Sequence, residues 1–192
     1  MRPPLYILRH GQTVWNAEHR IQGRLDSALT AQGRAQARDQ RKILGGCDLR
    51  DFQAFCSPQG RAFHTASLAL EGLFQTIQTD ARLSEISVGA FEGLRRDALL
   101  PGHKMDESEE SGLDLYERAP GGEGFKGLHR RCLAFLDDLS GPAVLVTHGM
   151  TSRMLRLILL NMDISQMGAL PGGQGVVYHL AYGEMKCLSI GA

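Results

Sequence analysis

The tripeptide Arg9-His10-Gly11 follows a short apolar run, Leu5 to Leu8, and Thr147-His148-Gly149 follows a second one, Ala143 to Val146. A third candidate strand, Phe52 to Cys56, leads through Ser57-Pro58 to Arg61. Two histidines and two arginines therefore stand just beyond three candidate strand ends. These residue types suit phosphoryl transfer. A guanidinium offers paired N–H donors to phosphate oxygens, and two of them neutralise a dianion. A neutral imidazole nitrogen is a nucleophile that can carry a covalent phosphoryl group, which splits one difficult displacement into two. A second imidazole can donate to the equatorial oxygens as their charge grows in the transition state. Gly11 and Gly149 are expected to leave room for substrate and to let backbone N–H groups approach it.

Such a cluster needs a scaffold that brings distant strand ends together. Short continuous apolar runs ending in charge are the signature of strands buried on both faces of a parallel sheet. Val176 to Leu180 and Met185 to Ile190 are expected to form a late hairpin turning at Tyr182-Gly183-Glu184. Between the strands lie helical patterns. Thr30 can cap a helix from about Ala31 to Leu44, stopped by Gly45-Gly46. Arg61 to Leu70 and Met150 to Leu160 are helical, as is Phe125 to Leu139, where Leu128, Cys132, Phe135, Leu136 and Leu139 recur at helical spacing. The alternation implies an α/β fold, a three-layer sandwich around a mostly parallel central sheet. In open sheets of this kind ligands bind beyond the carboxyl ends of the strands, where these histidines and arginines stand.

The 192 residues suit one domain with a full-sized core, so residues 1–192 are expected to form a single unit. The stretch 99–124, with Pro101-Gly102, the acidic run Asp106 to Glu110 and Pro120-Gly121-Gly122, is expected to be an excursion over the sheet's edge. It is either a solvated loop or a substrate-covering lid. Twenty-one basic residues balance twenty-one acidic ones, which argues against nucleic-acid or membrane-surface binding by a broad basic face. No apolar stretch is long enough for a signal-peptide core or a membrane span, so a cytoplasmic protein is expected. The four cysteines, Cys47, Cys56, Cys132 and Cys187, form no C-x-x-C pair and are expected to be reduced thiols, about half of them in the core.

The ordered series of short motifs resembles the histidine phosphatase superfamily, also called phosphoglycerate mutase-like. Leu8 to Asn16 follows that family's signature closely. Gln22-Gly23, Asp26, Leu29-Thr30, Gly33, Ser57-Pro58, Gly60-Arg61-Ala62, Thr65-Ala66, Leu83, Glu85, Gly89, Glu92-Gly93, Gly122-Glu123, Arg131 and Val146 to Gly149 continue it in the family's order. The resemblance implies that His10 is the phosphorylated nucleophile, that Arg9, Arg61 and His148 complete the phosphate pocket, and that Asn16 hydrogen-bonds to the phosphoryl group. It also implies that Gln22 and Gly23 line the substrate side, and that Glu85 gives the leaving oxygen its proton. The chemistry is consistent, because a carboxyl group beside a phosphate dianion favours its acid form. His64, three residues after Arg61, could add a fifth pocket residue but is better taken as structural, like His19, His103, His129 and His179.

Two other motifs lead elsewhere. Gly122 to Gly127 matches G-x-G-x-x-G, but no strand precedes it, so dinucleotide binding is not expected. No H-x-x-x-H or H-E-x-x-H spacing exists, and arginines beside the site would repel a cation, so no metal and no other cofactor is expected. Within the family, mutases are typically longer and carry Glu-Arg-His-Tyr-Gly where this chain has Glu85-Ile86-Ser87-Val88-Gly89. The expected activity is therefore hydrolysis of a small phosphorylated metabolite through a phosphohistidine. A cofactor-dependent phosphoglycerate mutase and a silent phospho-ligand-binding domain are the alternatives. Monomer and homodimer both stay open.

Overall fold

The structure, a computed structural model, describes residues 2–99 and 113–191. Its centre is a six-stranded sheet in the order β3-β2-β4-β1-β5-β6, built from β1 (Leu5–Arg9), β2 (Gln53–Cys56), β3 (Gln78–Thr79), β4 (Ala143–Thr147), β5 (Val177–Ala181) and β6 (Glu184–Leu188). The first four strands run parallel, and the β5–β6 hairpin joins antiparallel to β1. β3, only two residues long and exposed, has no apolar run to announce it.

Every residue of β1 and β4 is buried, because helices cover both faces. Leu5, Ile7, Ala143 and Leu145 point into one core with Leu128, Cys132, Phe135 and Met154. Tyr6, Leu8, Val144 and Val146 point into the other with Leu44, Ala66, Ala69 and Leu70. The alternation follows from the two-residue period of a strand. The helices are α1 (Val14–Ala17), α2 (Ala31–Gly45), α3 (Gly60–Ala69), α4 (Arg96–Leu99), α5 (Asp114–Arg118), α6 (Gly124–Asp138) and α7 (Gly149–Leu159). Thr30 caps α2 by accepting the Gly33 N–H at 3.0 Å, as its position predicts. The site depends most on α7, which is buried from Gly149 to Leu157 and packs against α6.

Two features depart from expectation. Residues 113–124 are not simply a solvated loop, since Leu115, Tyr116 and Ala119 join the core; residues 100–112, with the acidic run, lie outside the described residues. The close-approach role expected of Gly11 is met by protein instead of substrate. A Cβ there would overlap the Gly33 carbonyl oxygen, and the Gly11 N–H is donated to Thr65 Oγ1 at 3.1 Å. Gly11 thus lets β1's exit pass against α2. All four cysteines are free thiols, with Cys56 and Cys132 buried. Among the described residues no helix is long and apolar enough to cross a membrane.

Candidate active site

The parallel register does most of the assembly. Arg9 pairs with Thr147, so the next residues, His10 and His148, emerge side by side, and the His10 N–H donates to the Thr147 carbonyl at 2.9 Å. Their rings meet edge to face with centroids 5.2 Å apart. On the other side of β4, Ser57 N–H donates to the Val146 carbonyl, which brings Ser57 Oγ to 2.8 Å from His148 Nε2.

His10 is held in one tautomer. Its Nδ1 lies 2.8 Å from the Gly11 carbonyl, which can only accept, so Nδ1 carries the proton. Nε2 then bears the lone pair, and it accepts the Nε–H of Arg61 at 3.2 Å. Burial holds the His10 pKa well below the ordinary imidazole range, with the charges of Arg61 and Arg9 adding to the effect. His148 is lowered in the same way, first by burial and then by Arg61 and His10. Two neutral imidazoles therefore sit at the strand ends.

Arg61 opens α3 and is anchored in place. Its Nη1 donates to the Leu25 carbonyl at 2.6 Å and to Asp26 Oδ1 at 3.0 Å, and Nη2 donates to the Gly23 carbonyl at 3.0 Å. Asp26 also accepts the Arg61 backbone N–H, which caps α3 from outside the helix. Of the five donors, the Nε–H aimed at His10 and one Nη2 N–H are left for a ligand. Arg9, at the end of β1, packs its guanidinium over Gly149, where a Cβ would lie 3.3 Å from Cζ. Gly149 therefore makes room for Arg9, not directly for substrate.

Glu85 lies at the first turn of α7. Its Oε1 accepts from the N–H groups of Ile86 and Thr151 and from Thr151 Oγ1, at 2.9, 3.1 and 3.1 Å, while among the described residues Oε2 accepts only from the Met150 N–H, at 3.2 Å. Oε2 is thus the less committed oxygen. Asn16 is pinned through Oδ1, which accepts from the Thr13 N–H and Oγ1, so its amide NH2 is available. Gln22 is buried with Oε1 lacking a partner among the described residues.

A cavity of about 340 Å³ lies over these groups, lined by Arg9, His10, Asn16, Gln22, Gly23, Arg61 and Glu85. His148 and Gly149 do not line it. His148 is fully buried behind its ring contact with His10, and Gly149 borders a smaller space of about 20 Å³ with Arg9, Glu85 and Arg153. Other lining residues carry no isolated sequence signal: His19, Arg20, Arg96, Tyr116 and Gln174. His19, Arg20 and Arg96 arrive because residues 19–23 pair with 93–96, through Ile21 N–H to the Leu94 carbonyl, Gly93 N–H to the Ile21 carbonyl and Arg96 N–H to the His19 carbonyl, while Tyr116 comes from α5 and Gln174 donates to the His10 carbonyl at 3.2 Å. His19, expected to be structural, stands on this rim in a left-handed conformation with φ of 56°. His64 is exposed in a separate shallow groove with Asp26 and Leu29.

The Gly122-to-Gly127 motif does open a helix, α6, but the preceding element is α5, and Glu117 accepts the Phe125 N–H at the helix start where a phosphate would bind. Glu123 is likewise occupied, by Arg131 and the Ser87 N–H. Among the described residues no three His, Cys, Asp or Glu side chains form a group that could hold a metal ion.

Residues 5–189 match the model of the histidine phosphatase superfamily (branch 1). A Yersinia pestis protein named probable phosphoglycerate mutase GpmB is 34% identical over 163 residues, covering 82% of this chain and 75% of its own length. Among solved structures, phosphoglycerate mutase from Thermus thermophilus is 35% identical with a TM-score of 0.71, covering 96% of each chain. Mycobacterial glucosyl-3-phosphoglycerate phosphatase is 28% identical with a TM-score of 0.75, covering 98% of each.

Proposed function

The chain belongs to the histidine phosphatase superfamily (branch 1), and from that premise we propose that it is a phosphomonoester hydrolase acting on a small phosphorylated metabolite through His10. The observation that carries this reading is the fixed tautomer of His10, with Nδ1–H given to Gly11 and the Nε2 lone pair turned to Arg61. A phosphate entering the cavity displaces that last bond and takes over the Arg61 Nε–H. The Nε2 lone pair attacks phosphorus, the ester P–O bond breaks, and its electron pair leaves on the alcohol oxygen, which takes a proton from Glu85. Water then attacks the phosphohistidine, giving its proton back to Glu85. The P–N bond breaks, its pair returns to Nε2, and inorganic phosphate leaves. Arg9, Arg61 and the Asn16 amide, which line the cavity, stabilise the equatorial oxygens, and His148 backs the His10 ring.

A phosphoglycerate mutase is the second reading, and the names of the relatives from Yersinia pestis and Thermus thermophilus favour it. Hydrolysis is preferred here because Ile86 and Val88 stand where mutases carry arginine and tyrosine, and both are buried in the apolar core, away from the cavity. The test is a screen of phosphate monoesters in chelated buffer, with an acid-sparing quench to trap labelled phosphate on His10. Release of phosphate by the native chain and none by His10→Ala is expected. An active His10→Ala variant would overturn the mechanism. Phosphate transfer to 3-phosphoglycerate with the bisphosphoglycerate cofactor present, faster than release to water, would establish the mutase instead.

A further inference from the structure

The residue before α3 does unusual work. Gln59 occupies the N-cap position but makes no side-chain capping bond, and glutamine is not among the favoured caps. Asp26 caps that helix from a neighbouring loop, and Gly60 makes its approach feasible, since a Cβ at residue 60 would lie 2.5 Å from Asp26 Oδ2. The Gln59 side chain is thereby released to reach across the site. Its Oε1 accepts the backbone N–H of Glu85 at 2.6 Å, and its Nε2 donates to the Gly23 carbonyl at 3.0 Å. That carbonyl also accepts from Arg61 Nη2. The Gln59 backbone N–H donates to Ser57 Oγ, the same oxygen that meets His148 Nε2.

We propose that Gln59 is a positioning residue for the reaction, a two-ended strut that fixes the distance between the proton donor Glu85 and the substrate-side loop at Gly23. The inference rests on the assignment of Glu85 as the proton donor. The main chain at Glu85 has α7 on one side, where its carboxylate is bound, and Gln59 on the other. With the strut removed, the carboxylate keeps its bonds to Met150 and Thr151 but the segment that carries it loses its tie to the cavity's opposite wall. On the proposed reading the cavity wall at Gly23 borders the leaving group, so proton transfer suffers before phosphate binding does. Proton transfer needs donor and acceptor within ordinary hydrogen-bond reach, so a small displacement is costly.

The test is the dependence of kcat/KM on leaving-group basicity, measured across a series of alkyl and aryl phosphates. Gln59→Met keeps the length of the side chain and removes both hydrogen bonds. It should lower kcat/KM on alkyl phosphates by about tenfold or more, as the loss of one or two hydrogen bonds converts. Nitrophenyl phosphate, whose leaving group needs little help, should change far less. Gln59→Glu keeps the acceptor for the Glu85 N–H and loses only the donor to Gly23, so it should retain more alkyl-phosphate activity than Gln59→Met. Circular dichroism and thermal unfolding establish that each variant is folded. Equal losses on alkyl and aryl substrates in the folded variants, or no loss on either, would overturn the proposal. A native chain inert to every monoester, or a Glu85→Gln variant without leaving-group dependence, would instead overturn the functional reading beneath it.

Discussion

Glu85→Gln separates the acid's chemical role from its structural one, because the structure gives a magnitude for each. The carboxylate accepts four hydrogen bonds, two of them from N–H groups in the first turn of α7. Glutamine can keep its oxygen at the Oε1 position and serve three of those donors, but its NH2 then faces the Met150 N–H. That donor-to-donor contact costs about 1–3 kcal/mol for the buried N–H left unserved. Losing a negative charge at a helix N-terminus removes about 0.3–1 kcal/mol more, and toward 2 kcal/mol in a partly buried site. A net loss of about 2–3 kcal/mol follows, which in a chain of this size lowers the melting temperature by about 5–10 °C. Chemistry adds a separate signature. On alkyl phosphates kcat/KM should fall by about 10²–10⁴, the usual span for general acid catalysis. On nitrophenyl phosphate the fall should be much smaller, since nitrophenolate departs without a proton. Both substrates are assayed at the pH of maximal native activity and at a temperature where the variant is fully folded. Equal losses on the two would refute the reasoning; Glu85 would then serve α7 and the phosphate pocket only, and the proton donor would be sought among the other residues that line the cavity.

Two further outcomes follow from the buried groups. His10 and His148 are held neutral when folded but take up protons near pH 6.5 when unfolded, so above that pH their contribution to stability is complete and constant. Below it the unfolded chain binds protons that the folded chain does not, and stability falls by about 1.4 kcal/mol per pH unit for each histidine until the folded values are reached. Urea midpoints between pH 7.5 and 5.5 should show that decline, shallower in His148→Asn, whereas identical slopes in the two proteins would contradict it. Gly11→Ala forces a methyl group against the Gly33 carbonyl and should cost about 3 kcal/mol in the same denaturation assay; unchanged stability would mean that α2 is not held against β1's exit as described.

Much of the fold was legible because its signals are local. Continuous apolar runs announce β1 and β4, and the capping residue Thr30 and the glycines near 45 bound α2. The histidines and arginines were legible because parallel strands deliver their ends to one edge. What the sequence hid depends on distant pairings. Arg20 and Arg96 reach the cavity only because residues 19–23 lie along 93–96, and neither segment has a strand pattern. Gln59 is an ordinary polar residue at a helix start, and its value comes from Gly23 and Glu85, which no spacing along the chain relates to it. The room expected at Gly11 and Gly149 for substrate is taken by protein instead, Gly33 at Gly11 and Arg9 at Gly149, a difference that only packing reveals.

The strand order has a consequence for the birth of the molecule. β1 leads directly into His10, the proposed nucleophile, yet both of its neighbours, β4 and β5, come from residues beyond 142. A ribosome has therefore released His10, Arg61 and Glu85 long before anything exists against which β1 can pair. Until Ala143–Thr147 and then Val177–Ala181 emerge, β1 has neither of its native strand partners, the condition in which apolar strands are prone to wrong pairings. The His10–His148 pair depends on the β1–β4 register, so the proposed site can be complete only once β4 has joined the sheet.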